Sequence, residues 1–208
     1  MHILFEGMDL AGKSTLCRRL QAVLGPDWTI RHNSLLAESP IQALADTLRK
    51  AGALSEMPLG YLYHAALLAE MELFRPPAGN VIQDSTILLR SIAYHRAVGT
   101  PGMPELFEQC LASHPRFDMA FVCVCSRETR LRRLAIRRPA NLGPEDTWVR
   151  DRIDLLERAE ATLLDVAGKH LGAESLDTSN LEDKAASDAL LVHVAGRIAA
   201  ARRQSNHG

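Results

Sequence analysis

The chain has 208 residues, 47% of them apolar, and a formal net charge of −1. It is long enough for one domain with a substantial core, too apolar for disorder, and too nearly neutral for bulk electrostatic binding to a nucleic acid polymer. No apolar run approaches the roughly 20 residues of a membrane helix, and no basic-then-apolar leader is visible, so neither a membrane nor a secreted context is expected.

His2-Ile3-Leu4-Phe5 reads as a buried strand. It runs into Gly7-Met8-Asp9-Leu10-Ala11-Gly12-Lys13-Ser14, which has the phosphate-loop spacing of glycine, four residues, then Gly-Lys-Ser. A helix follows, with Leu16 and Leu20 on one side. Strand, glycine-bracketed loop and helix form the context in which that spacing carries chemistry. Gly7 and Gly12 allow backbone angles that other residues avoid, so successive N–H groups can face a phosphate. The helix start adds its positive dipole end. Lys13 can then reach the outer phosphates, and the Ser14 hydroxyl can hold Mg²⁺.

Gly25-Pro26-Asp27 breaks the chain, and Trp28 to His32 reads as a second strand. Asn33 to Glu38 is a loop. Ser39-Pro40 is a helix start, followed by the stripe Ile41, Leu44, Ala45, Leu48. Met57-Pro58 opens a helix from Leu59 to about Phe74 that is apolar nearly all round, the mark of burial in a core or a subunit interface. Val81-Ile82-Gln83-Asp84 is a third strand ending in a carboxylate, and Ser85 to about Val98 reads as helix. Pro104 to Ser113 is a short helix. Met119 to Cys125 is a continuous apolar run that suits a strand covered on both faces. Arg127 to Arg138 is strongly basic, Pro139 to Asp146 reads as a flexible segment, and Trp148 to about Lys169 as one helix. Ser175 to Thr178 is a weak fifth strand, and Leu181 to Arg203 a final helix. Strands alternating with helices indicate a single three-layer α/β domain, residues 1–208, on a five-stranded parallel sheet. None of the four cysteines forms a Cys-x-x-Cys pair, and Cys123 and Cys125 share one face of a strand, so they read as core in a reduced cytoplasm.

Ligands of a parallel sheet bind beyond the carboxyl ends of its strands. Asp9, Glu38 and Asp84 all fall near that edge. Asp84 can approach Mg²⁺ directly or through water, or simply cap the next helix. Glu38 can serve as a base or be a solvated loop residue. The arginine run can be a solvated helix face, yet phosphoryl transfer needs cations over the equatorial oxygens, and arginine supplies them as a fork.

Taken together, these motifs resemble the thymidylate kinases and their deoxynucleoside-kinase relatives. Phe5 to Leu16 is similar to that family's Phe-Glu-Gly-x-Asp-x-Ala-Gly-Lys loop. Asp84 with Ser91-Ile92-Ala93-Tyr94-His95 resembles its Asp-Arg-Tyr strand end and following helix, with one extra residue between them. Glu128 to Arg137 resembles the run before its mobile lid, which would span about 137–147, and Asp177-Thr178 resembles its last-strand Asp-Ala. The resemblance implies a P-loop kinase fold, ATP as donor, Mg²⁺, and a homodimer. It implies ATP contacts from Gly7, Asp9, Ala11, Gly12, Lys13, Ser14, Thr15 and Arg133. With leucine at position 10, it places the catalytic arginine on the lid, at Arg137 or Arg138, beside Lys13 and Asp9. The acceptor side departs from the family. Asn33-Ser34-Leu35-Leu36-Ala37-Glu38 stands where the family has Arg-Glu-Pro-Gly-Gly, no Lys or Arg lies between Lys50 and Arg75, and Ser85 replaces the arginine after Asp84. Arg31 and Arg90 compensate only in part. A phosphate dianion without its cations is costly. The expected acceptor is therefore a small molecule with an unphosphorylated hydroxyl, bound by Asp9, Glu38, Tyr61 or Tyr63, and Arg90. The alternatives are a nucleoside monophosphate kinase with a rearranged acceptor site and a non-catalytic ATP-binding protein.

Overall fold

In the computed structural model, which describes residues 1–137 and 144–205, five parallel strands lie in the order β2-β3-β1-β4-β5. They are β1 (His2–Glu6), β2 (Trp28–His32), β3 (Asn80–Asp84), β4 (Met119–Val124) and β5 (Glu174–Asp177). Each lies within a residue of its place in the sequence pattern. The helices are α1 (Lys13–Leu24), α2 (Pro40–Lys50), α3 (Glu56–Leu73), α4 (Ile87–Val98), α5 (Met103–Glu108), α6 (Arg127–Ile136), α7 (Pro144–Asp151), α8 (Ile153–Leu171) and α9 (Lys184–Ser205).

Period-two alternation in the strands builds two cores. Leu4, Ala120 and Val122 face a layer made by α3, α4, α5 and α8. Ile3, Phe5, Phe121 and Cys123 face α1 and α9, and Cys17 and Cys125 lie in that same core. All four cysteines are free and buried. Burial pushes the Cys123 thiol up to about 12, so it packs as an apolar group.

Several segments differ from the pattern: the helix expected over Pro104 to Ser113 ends at Glu108, the last helix starts at Lys184, and three further differences bear on the cleft. Trp148 to Lys169 is two helices, because Arg152 leaves helical geometry at φ −144, ψ 43. The apolar spacing runs straight through this break, Val149 and Leu156 both being buried seven residues apart, so periodicity could not reveal it. The part of the expected lid from Pro144 onward is helical; the part from 138 to 143 lies outside the described residues. Helix α4 starts at Ile87, not Ser85, because Ser85 turns left-handed at φ 74. Helix α3 is not wholly buried: Leu59, Ala66 and Leu67 face the core while Tyr61, Leu68 and Leu73 are exposed. No described helix is long and apolar enough to cross a membrane.

At the amino edge of the sheet, His2 stacks with Phe74 and meets Phe117 edge-on, and its backbone N–H donates to Asp118 at 2.7 Å. His114 lies nearby against the same Phe117. Burial pushes both imidazoles down to about 4. The unfolded chain takes up these protons near 6.5 and the folded chain only near 4. Folding stability is therefore lost as the pH falls through that window, by at most about 3 kcal/mol per imidazole. The buried carboxyls of Glu6, Glu70 and Glu160 are pushed up by burial and act in the opposite sense. A comparison at two pH values isolates the imidazoles. Between pH 7 and 4.5, His2→Gln and His114→Gln should each lose less stability in urea denaturation than the parent chain.

Candidate active site

The loop between β1 and α1 is held open from behind. Gly7 and Gly12 have φ values of 153 and 80. A Cβ on Gly7 would stand 2.6 Å from the Cys123 carbonyl oxygen, and one on Gly12 would stand 2.9 Å from Leu181. Leu10 takes φ 62 despite its Cβ, a conformation that costs roughly 1–2 kcal/mol. Its carbonyl is tied down by Arg133 Nη1 at 3.0 Å and by Cys125 Sγ at 3.6 Å. Thr178 Oγ1 donates to the Ala11 carbonyl. With these carbonyls turned away, the start of α1 has no side-chain cap and no carboxylate in its first turn. Its free N–H groups and dipole are available to an anion.

Arg133, read from the sequence as an ATP contact, serves this brace. Its Nε donates to Glu182 at 2.8 Å and its Nη2 to the Thr178 carbonyl at 2.6 Å, in addition to the Leu10 bond. Three of its five guanidinium N–H groups bond protein oxygens and shape the loop from behind.

Parallel register sets Asp84 beside Phe5 on β1 and His32 on β2. Lys13 Nζ lies 3.4 Å from Asp84 Oδ1. That oxygen is buried and has no hydrogen-bond partner. Asp84 Oδ2 lies 3.0 Å from His32 Nδ1. An orphaned carboxylate oxygen beside the loop lysine fits a hard divalent cation that takes most of its ligands from phosphate and water. Among the described residues no group of three His, Cys, Asp or Glu comes together.

Glu6, just below the loop, is buried. It accepts from Ser85 Oγ, Thr86 N and Thr86 Oγ1, each at 2.7 Å. These bonds hold Ser85 in its left-handed turn and direct the chain from β3 into α4. Sequence reasoning assigned Glu6 no role; a carboxylate on an apolar strand was the available signal.

Two cavities meet at this edge. One, of about 640 Å³, is lined by Asp9 to Thr15 with Arg133, Arg137 and Glu182 among others. The other, of about 570 Å³, is lined by residues that include Asp9, Gln42, Asp46, Arg49, Lys50, Glu56, Tyr63, Thr86, Arg90, Tyr94 and Trp148. Met8 and Asp9 border both. Asp9 accepts from Arg90 Nη2 at 3.0 and 3.2 Å. Tyr63 donates its hydroxyl to Asp46 at 2.6 Å, and Tyr94 donates to Glu56 at 2.6 Å. Burial pushes the Tyr94 phenol up, which keeps it a donor. Tyr94 also stacks on Trp148 with ring centroids 4.5 Å apart. With their hydroxyls engaged, both tyrosines present ring surface to the cavity.

The structure separates the acceptor candidates. Asp9, Tyr63 and Arg90 line the second cavity; Tyr61 and Glu38 line neither. Two helical residues two apart point about 200° from each other, so Tyr61 and Tyr63 cannot share a face, and Tyr61 is 56% exposed. Glu38 is exposed on the loop after β2. The carboxylate that serves that loop is the buried Glu70, accepting from the Leu35 N–H at 3.0 Å. Arg49 and Lys50, from the last turn of α2, bring cations that sequence reasoning did not place there. Arg137 lines the loop cavity with its Nη1 donating to both oxygens of Asp146 at 2.9 Å. Arg138 lies outside the described residues.

Solved structures share this architecture. A deoxyadenosine kinase from M. mycoides, with the products dCMP and dCDP bound, matches with a TM-score of 0.64 at 17% identity, over 96% of this chain and 99% of its own. The fold is that of the P-loop kinases. A thymidylate kinase from Ehrlichia chaffeensis matches with a TM-score of 0.61 at 14% identity, over 95% of this chain and 97% of its own. A shikimate kinase from Bacteroides thetaiotaomicron matches with a TM-score of 0.55 at 16% identity, over 95% and 98%. No protein-family model matches the chain, and no curated protein matches its sequence.

The brace makes a prediction that needs no ligand. Arg133→Ala leaves the Leu10 and Thr178 carbonyls and the Glu182 carboxylate without this partner. It should cost about 2–4 kcal/mol of stability in urea denaturation. A loss below about 0.5 kcal/mol, the level of an ordinary surface change, would show that the loop holds its shape without it.

Proposed function

We propose that the protein is an ATP- and Mg²⁺-dependent phosphotransferase that moves the γ-phosphoryl group of ATP to a hydroxyl of a nucleoside-like small molecule. The observation that carries this reading is the meeting of the two cavities at Asp9, one built around a phosphate loop and the other walled by aromatic rings. In this reading the open N–H groups of the loop cradle the phosphates, with Gly7, Asp9, Ala11, Gly12 and Thr15 shaping the donor site. Lys13 takes the outer phosphate charge. Ser14 and Asp84 hold Mg²⁺, which when bound neutralises charge on the phosphates. Arg137 or Arg138 covers the transferring group. Asp9, fixed by Arg90, receives the acceptor hydroxyl, and Tyr63 offers a stacking face.

Charge in the acceptor cavity favours an uncharged acceptor. Arg90 faces Asp9, Arg49 lies 3.9 Å from Asp46, and Lys50 shares the cavity with Glu56. Cations and carboxylates balance, so little net positive field remains for a phosphate dianion. The second reading, a monophosphate acceptor, draws on Arg49 and Lys50, two cations in this cavity that could reorganise around a phosphate. An ATP-consumption screen over nucleosides, nucleoside monophosphates and hydroxylated metabolites decides between them. Nucleosides should turn over and thymidine monophosphate should be poor. A monophosphate with kcat/KM of about 10⁴ M⁻¹s⁻¹ or more, with nucleosides inert, would establish the second reading. Lys13→Ala should lower turnover by about 10³-fold or more while the protein stays folded, because a preorganised charge on the transferring group is lost. Near-normal turnover in the folded variant would end the kinase reading.

The whole chain is taken as one kinase domain, and its free, buried thiols suit a reducing cytoplasm. We also propose a symmetric homodimer. Met57, Tyr61, Leu68 and Leu73 of α3 and Leu44 of α2 expose apolar surface of the kind a second copy covers. Light scattering should report twice the chain mass; 22.9 kDa at high protein concentration would refute it.

A further inference from the structure

Strand β2 ends at His32, directly opposite Asp84 in the β2–β3 register. The backbone then turns away. Asn33 is left-handed at φ 56, and its N–H donates to the Asp84 carbonyl oxygen at 2.9 Å. The His32 side chain is 59% exposed, whereas that of Asp84 is only 3% exposed. The imidazole nonetheless turns inward, with Nδ1 3.0 Å from Asp84 Oδ2. Among the described residues it is the one hydrogen-bond partner of that carboxylate. The other oxygen, Oδ1, is buried, faces Lys13 at 3.4 Å and accepts no hydrogen bond.

This division is informative. The terminal torsion of an aspartate is broad, so an untethered carboxylate beside a lysine can rotate until both oxygens serve the ammonium. A hydrogen bond to one oxygen removes that freedom. An exposed histidine gains little from a surface ion pair, and a buried oxygen without a partner is costly. The arrangement makes sense if the orphaned oxygen is being kept for a ligand. Carboxylates that bind metals are commonly oriented in this way by a hydrogen bond to the non-ligating oxygen.

We propose that His32 is a positioning residue for the cation site: its Nδ1–H holds Asp84 Oδ2 so that Oδ1 stays directed at the phosphate loop, where the divalent cation of a metal–nucleotide complex would sit. The role requires the donor hydrogen at Nδ1 and no change in the charge of the ring. It rests on the reading that the loop binds Mg²⁺ with ATP.

The test measures binding rather than turnover. Mn²⁺ is titrated, with electron paramagnetic resonance detection, into the full chain saturated with a non-hydrolysable ATP analogue. The affinity of the analogue without metal is measured in parallel by calorimetry. His32→Ala should weaken Mn²⁺ binding by about 10–100-fold and leave the metal-free analogue affinity unchanged. His32→Asn, whose side-chain amide can donate from nearly the same position, should recover most of the loss. His32→Leu, which keeps bulk without a donor, should behave like His32→Ala. Mn²⁺ affinity equal to the parent in His32→Leu or His32→Ala, with the analogue still bound, would overturn the role of His32 alone. Equal weakening of Mn²⁺ and of metal-free analogue would also overturn it, because that is the signature of a general structural defect. A parent chain that binds neither Mn²⁺ nor the analogue would overturn the kinase reading and this proposal with it.

Discussion

A backbone loop can cradle an anion only if its carbonyl oxygens are pointed elsewhere, and most of this structure serves that constraint. Arg133 on α6, Cys125 after β4 and Thr178 after β5 reach the Leu10 and Ala11 carbonyls from three separate elements. Their bonds allow a leucine to stay in a conformation that its own Cβ opposes. The order β3-β1-β4-β5 makes this possible, since it brings the ends of those strands around the loop. The loop is thus a product of the whole carboxyl edge of the sheet, and the eight-residue pattern alone does not determine it.

A second level of support lies underneath. Glu6 binds Ser85 and Thr86, His32 binds Asp84, and Glu70 binds the backbone after β2. The non-glycine residues with positive φ among those described, Leu10, Asn33 and Ser85, all occur at this edge. Strain concentrated where three strands deliver their chains to one cleft is what a preorganised site looks like. Surrounding contacts hold it in place.

The sequence showed the phosphate loop, the strands and the carboxylate closing β3, because each is a local pattern: a spacing, an apolar run, a terminal charge. It showed less where the answer depends on which face a residue takes. Tyr61 and Tyr63 are equivalent as letters, and only the rotation of α3 puts one in the cavity and the other in solvent. Arg133 entered as an ATP contact by resemblance alone; its bracing of the loop was not legible, because those partners come from 45 and 123 residues away. Cations beside the loop were sought where the resembled kinases keep theirs, whereas Arg49 and Lys50 reach the cavity beside Asp9 from the end of α2. His32 and Glu6 were passed over for a related reason. Each acts on a neighbouring strand, and register is a tertiary fact.

The chain has two tryptophans, and the fold gives them unlike surroundings. Trp28 is buried in the α1–α9 core with the Arg202 guanidinium over its ring. Trp148 forms part of the wall of the cavity beside Asp9, stacked on Tyr94 with Arg152 beside it. Emission from the first reports the integrity of the core. Emission from the second answers to whatever displaces water from the cavity. A Trp28→Phe protein would leave a single tryptophan, in the wall of that cavity, so that its occupancy could be followed optically, without turnover and without a label.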